Sequence, residues 1–121
     1  MPAIDDIARD FTALLRAGDY QAAARYWASD IVSVEPAELP GGVPAVASGL
    51  TAVQHKSEAW FGRGRIDDLS IDGPFVTGDQ FALFLDMMFV DRSSGERQPF
   101  TEIALYTVRD GQISEERYFY D

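Results

Sequence analysis

The chain contains no cysteine and only one histidine, His55. Disulfides, thiolate metal sites and a cysteine nucleophile are therefore excluded, and a multi-histidine zinc site is excluded with them. A Ser-His-Asp triad would have to use His55, and no nucleophile-elbow sequence surrounds any serine. His55 stands alone and reads as a surface residue. No metal or cofactor is expected.

Positive charge is scarce as well: ten Lys and Arg face twenty Asp and Glu, a net charge of −10. Without a basic stripe, nucleic acid and anionic membrane surfaces are poor partners, and the charge is read as serving solubility. No apolar run approaches the ~20 residues of a membrane span. The opening Met1-Pro2-Ala3-Ile4-Asp5-Asp6 lacks the basic region and apolar core of a signal peptide. The expected location is cytoplasmic.

What remains is an ordinary globular composition: 121 residues, 46% hydrophobic and 25% charged, with 8 Phe, 5 Tyr and 2 Trp. That length suits one domain, residues 1–121, with a real core. Ile4, Ile7, Phe11, Leu14 and Leu15 recur at helical spacing, with Asp5 and Asp6 at the favourable end of the dipole. Gly18 stops this helix, and Asp19 caps a second from Tyr20 to about Trp27. A short strand, Ile31 to Glu35, ends at Pro36. Residues 36–48, with Pro36, Pro40, Gly41, Gly42 and Pro44, form a loop, either a lid or a plain connection. A third helix runs from Leu50 to Phe61 and ends at Gly62-Arg63-Gly64.

Strands follow: 66–76, broken near Gly73-Pro74 by a bulge or kink, then 80–91, 98–109 and 112–120. The turns lie at Thr77-Gly78-Asp79, at 93–96 and at Asp110-Gly111. Helices first and consecutive hairpins afterwards define an α+β fold, a curved antiparallel sheet with its helices on one face.

Function is sought where the local pattern is broken. Asp86 is the only polar residue of the run 81–90, so a strand buried on both faces would give it a partner or a polar cavity. Alternation places Glu102 and Tyr106 on one face of their strand, and Glu116, Tyr118 and Tyr120 on one face of the last, opposite Ile113, Glu115, Arg117 and Phe119. Lys56 falls within the apolar stripe of Val53 and Trp60. It either neutralises inward carboxylates or snorkels to water.

The run helix-Gly18-Asp19-helix, followed by Tyr26-Trp27-Ala28-Ser29-Asp30-Ile31-Val32-Ser33-Val34-Glu35-Pro36, resembles the opening of the nuclear-transport-factor-2-like superfamily. That superfamily includes ketosteroid isomerase, scytalone dehydratase and SnoaL-like polyketide cyclases. Gly95-Glu96-Arg97, Glu102 to Tyr106, Asp110 to Ile113 and Glu116 to Tyr120 resemble the SnoaL-like branch in particular. The resemblance spans essentially the whole chain and is specific for fold rather than function.

It implies a cone, a bent sheet around a long helix, open at one end and commonly dimerised through the sheet. Leu83, Leu85, Met87 and Phe89, with Ile103 and Leu105, would form an apolar outer face for a homodimer. Ketosteroid isomerase keeps its general base just before a proline at the end of the first strand, where this chain has Glu35-Pro36. Its oxyanion-binding tyrosine falls at Phe11, and its protonated aspartate falls near Ala104, one pleat from Glu102.

Two readings follow. In the first, the chain is a cofactor-independent enzyme performing isomerisation, aldol cyclisation or dehydration on an apolar cyclic or carbonyl-containing substrate. Glu35 or Glu102 is its base, Asp86, Glu116 and Tyr106 are in support, and Phe11, Trp27, Lys56, Trp60, Phe84, Met88, Tyr118 and Tyr120 line the pocket. In the second, the same fold is a non-catalytic ligand-binding or dimerisation module.

Overall fold

The computed structural model describes residues 3–121. Its elements are α1 (Ile4–Arg16), α2 (Tyr20–Ala24), β1 (Trp27–Val34), β2 (Val46–Ser48), α3 (Leu50–Arg63), β3 (Gly64–Thr77), β4 (Gln80–Asp91), β5 (Arg97–Arg109) and β6 (Gln112–Phe119). One six-stranded sheet runs in the order β2-β1-β6-β5-β4-β3. It curves around the helices without closing, as the resemblance implies. No helix among the described residues is long and apolar enough to cross a membrane.

Each helix forms where its pattern requires. α1 buries Ile7, Ala8, Phe11 and Thr12, with Asp5 and Asp6 in its first turn and Arg16 in its last, an arrangement that suits the helix dipole. The buried Thr12 hydroxyl is satisfied by the Ala8 carbonyl at 2.6 Å. Asp19 caps α2 by accepting from the Ala22 amide at 3.1 Å. That helix is shorter than expected, because Arg25 and Tyr26 close its last turn and Trp27 already pairs with Ile113.

β1 is correspondingly longer than read from sequence. Residues 46–48, expected as loop, form the edge strand β2, paired antiparallel with β1. β1 also pairs parallel with β6, so the sheet is predominantly rather than wholly antiparallel. Every other pairing is antiparallel.

The long strand β3 bends through two register slips, between Asp67 and Ser70 and between Asp72 and Phe75. The second is the break expected at Gly73-Pro74. The first, at Asp68 with φ of 54°, changes the alternation so that Ile66, Leu69 and Ile71 all reach the core. Bulges of this kind increase the local bend of a strand. Arg16 fastens the bend to α1, donating to the carbonyls of Ile71 at 2.9 Å and Gly73 at 3.2 Å.

The facing of β4 is the reverse of the expected one. Phe81, Leu83, Leu85, Met87 and Phe89 point inward and are buried, whereas Phe84 is exposed. Asp86 is exposed on the outer face, between Ser70 and Thr101 on the neighbouring strands. Phe84 and Met88 share that face, so neither lines the cavity. The strand reads as buried on both sides because its outer face is also largely apolar; a carboxylate there meets water and needs no partner. The outer apolar row is therefore Phe84, Ile103 and Phe119, in register across three strands. In β6, Ser114 is the extra residue of a slip beside Thr107 and Val108. This turns Ile113 into the core, against the expected alternation.

β3 starts at Gly64, in close contact with β4: a β-carbon there would overlap the Val90 carbonyl oxygen and lie 2.5 Å from the Phe89 ring. Gly64→Ala is expected to cost about 1–3 kcal/mol by overpacking, measured by urea unfolding. Unchanged stability would show that the two strands do not meet this closely.

Candidate active site

The inner face of the sheet and the helices enclose a cavity of about 360 Å³. Its walls are mostly aromatic and aliphatic. α1 contributes Phe11 and Leu15, α2 contributes Tyr20, Ala23 and Ala24, and α3 contributes Val53, Trp60 and Phe61. Leu39 and Pro40 also line it, which makes the loop after β1 part of the pocket. The loop is folded back by the Leu39–Val43 bridge.

Trp60 stacks on Phe89 with centroids 4.4 Å apart and tilts against Phe100 at 5.8 Å. Phe11 packs edge-on against the Tyr106 ring at 4.9 Å. The phenol at this end of the cavity therefore comes from the sheet rather than from the first helix.

Polar groups converge on Lys56, the only lysine in the chain. It points inward, with 9% of its side chain exposed, and its Nζ lies 2.6 Å from Glu35 Oε2. It also donates to Ser33 Oγ at 2.5 Å and lies 5.4 Å from the centre of the Tyr118 ring. Ser33 donates onward to Glu116 Oε1 at 2.8 Å. Tyr120 donates to the other Glu35 oxygen at 2.6 Å. The strand alternation explains the convergence: Ile31, Ser33 and Glu35 follow one another inward from β1, and Glu116, Tyr118 and Tyr120 do so from β6. The pairing Ser33↔Glu116 places the two sets side by side.

Glu102 differs from the other acids. It lines the cavity from β5, opposite Leu85, and has no hydrogen-bond or ion-pair partner among the described residues. Burial pushes its pKa up to about 8, the charges of Glu35 and Glu116 add to the rise, and Lys56 opposes it. It is therefore a carboxylic acid at neutral pH. Burial also raises Glu116, against the hydrogen bond from Ser33 and the nearby Lys56 and Tyr118. Tyr106 and Tyr118 are raised by burial and by the surrounding carboxylates. Tyr120 is raised by burial and by its bond to Glu35.

Of the residues proposed from sequence, Glu35, Glu102, Glu116, Tyr106, Phe11, Trp27, Lys56, Trp60, Tyr118 and Tyr120 all line this one cavity. Asp86, Phe84 and Met88 do not, for the reason given by the facing of β4. His55 is exposed. Sequence reasoning missed Ser33, although a polar residue two places after Ile31 and two before Glu35 falls on the inward face. It also missed Arg63 at the end of α3 and the loop pair Leu39-Pro40. The Trp27 indole nitrogen is buried without a hydrogen-bond partner among the described residues.

The chain matches the SnoaL-like domain family over residues 3–120, and it belongs to that family. A protein of Mesorhizobium loti, named as a candidate SnoaL-like polyketide cyclase with "carbohydrate phosphatase" in brackets, is 42% identical. The match covers 98% of this chain and 100% of that one, with a TM-score of 0.88. At the level of fold, a nuclear-transport-factor-2-like protein of unknown function from Burkholderia pseudomallei K96243 is 13% identical, covering 100% of this chain and 92% of its own, with a TM-score of 0.83. A similar protein from Burkholderia thailandensis E264 is 19% identical over the same shares, with a TM-score of 0.81. A search of curated proteins finds no match to this chain.

The raised pKa of Glu102 has a consequence for stability. Its ordinary value is 4.5 and its folded value about 8, so the folded state holds this proton more tightly than the unfolded one. Stability from this group is intact below about pH 4.5 and is lost as pH rises to about 8, with a slope of at most about 1.4 kcal/mol per pH unit. Glu102→Gln is expected to remove that loss. The stability difference between variant and parent should grow between pH 5 and 8 and then level off, read by chemical denaturation. A difference independent of pH would contradict the assignment.

Proposed function

We propose that the cavity binds a small, apolar, carbonyl-containing molecule, and that the protein is a cofactor-independent isomerase, cyclase or dehydratase acting by carboxylate general acid–base catalysis. The observation that carries this reading is the contrast between two acids in one pocket. Glu35 has Lys56 and Tyr120 on its two oxygens, whereas Glu102 is unpartnered and protonated at neutral pH. A carboxylate held by a cation and an unpartnered carboxyl in an apolar wall supply a base and an acid to one pocket.

In this reading Glu35 takes a proton from the carbon next to the carbonyl. Glu102 donates a hydrogen bond to the carbonyl oxygen, where negative charge develops. Tyr106 and Tyr118 support that end of the site, and Trp27 and Trp60 hold the apolar body. The Trp27 indole N–H offers a donor to an acceptor on the ligand.

The test uses 2-tetralone in heavy water, with exchange at the activated carbon followed by NMR. The protein should accelerate exchange over buffer. The rate should fall as pH rises through about 8, where Glu102 loses its proton, and Glu102→Gln should lower it about a hundredfold. A variant exchanging at the parent rate would remove Glu102 from the chemistry.

The outer face favours self-association. Phe84, Ile103 and Phe119 are 40%, 46% and 48% exposed and lie in one row, an apolar ridge of the kind that marks a protein contact. A homodimer through this face is the second part of the proposal. Native mass spectrometry should give a dimer that Phe84→Asp converts to monomer. A monomeric parent protein would refute it.

A further inference from the structure

The buried polar chain contains one ammonium and two carboxyls that depend on it. Lys56 touches Glu35 directly, at 2.6 Å, and reaches Glu116 only through Ser33. Ser33 is wholly buried, between Lys56 and Glu116. The oxygen of Ser33 accepts from Lys56 while its proton goes to Glu116, an orientation that links the cation to the second anion.

This matters when a proton moves. If Glu35 serves as base, as proposed above, the substrate C–H bond breaks and an O–H bond forms on Glu35. The electron pair stays on the substrate as an enolate, whose oxygen Glu102 stabilises by hydrogen bonding. Glu35 is then neutral, and Lys56 loses its direct counter-ion in a place where an unpaired charge is costly.

We propose that Ser33 is a positioning residue that makes Glu116 the reserve counter-ion of Lys56, its hydroxyl holding the Glu116 carboxylate to the ammonium while Glu35 carries the proton. This inference rests on the reading of Glu35 as base. The groups facing Glu116 are Lys56 from α3, Glu35 beyond the end of β1, Tyr106 and Glu102 from β5, and Tyr118 on its own strand. Among them Lys56 is the only cation, and Ser33 and Tyr118 favour the charged form by hydrogen bonding.

The test is a ¹³C NMR titration of carboxyl-labelled glutamate in the ligand-free protein. In the parent, Glu116 should titrate above an ordinary glutamate. In Ser33→Ala, Glu116 should titrate at least one pH unit higher, having lost its donor. Lys56→Met should raise Glu116 less in Ser33→Ala than in the parent, because the link is already cut.

An upward shift of Glu116 that depends on Lys56 identifies the link. A merely loosened, hydrated pocket would instead bring the raised Glu116 down towards an ordinary glutamate. That result, or no shift of Glu116, would overturn the proposal. Should Ser33→Ala not fold, Ser33→Cys decides, its thiol being a weak donor: an unshifted Glu116 also overturns the proposal. The readout needs no turnover, so failure of the ketone exchange and failure of this link are separate results.

Discussion

The buried ammonium of Lys56 is the point on which the polar half of the structure is built. A single side chain from α3 reaches across the cavity to β1 and to the segment just beyond it, and lies against the face of Tyr118 on β6. It fixes the position of the helix relative to the sheet. It also sets the orientation of Ser33 and, through that hydroxyl, of Glu116. Removing one partner of a buried pair of this kind costs about 3–5 kcal/mol, because the remaining charge has nowhere to go. The lysine is thus both a structural tie and the source of the electrostatic order in the pocket.

That order is asymmetric. Three acids face one inward cation, and the cation is already committed to Glu35 and Ser33. Glu102 is left in an apolar setting opposite Leu85 and becomes neutral instead of ionised. Desolvation therefore creates a proton donor from a residue type that is normally a base near neutral pH. The aromatic walls maintain the effect by keeping solvent away, and the Leu39-Pro40 segment adds to the enclosure. The chemistry and the packing are one property: a wetter pocket would have an ordinary Glu102.

Much of the fold was legible in the sequence because its signals are local. Helical spacing located α1 and α3, Asp19 and Gly18 marked the junction before α2, and Asp110-Gly111 marked the last hairpin. Period-two alternation correctly put Glu102, Tyr106, Glu116, Tyr118 and Tyr120 on one face, and that was enough to assemble most of the site. What failed was non-local. Nothing within residues 81–90 says which apolar face looks inward, and that choice alone decided Asp86, Phe84 and Met88. The bulges at Asp68 and Ser114 shift alternation by one residue, and only pairing with a neighbouring strand reveals them. Ser33 carries an ordinary sequence signal; its importance comes from Lys56 and Glu116, which are distant in the chain. Membership of the SnoaL-like family agrees with this picture at the level of fold.

The central claim is that Glu102 is a neutral acid inside a working pocket at neutral pH. Infrared difference spectroscopy between the parent protein and Glu102→Gln tests it most directly, because protonated and ionised carboxyls absorb in different regions. The account predicts that the Glu102 signal at pH 7 is that of a carboxylic acid, and that it converts to the carboxylate as pH passes through about 8. A Glu102 signal that is already carboxylate at pH 6 would contradict the account.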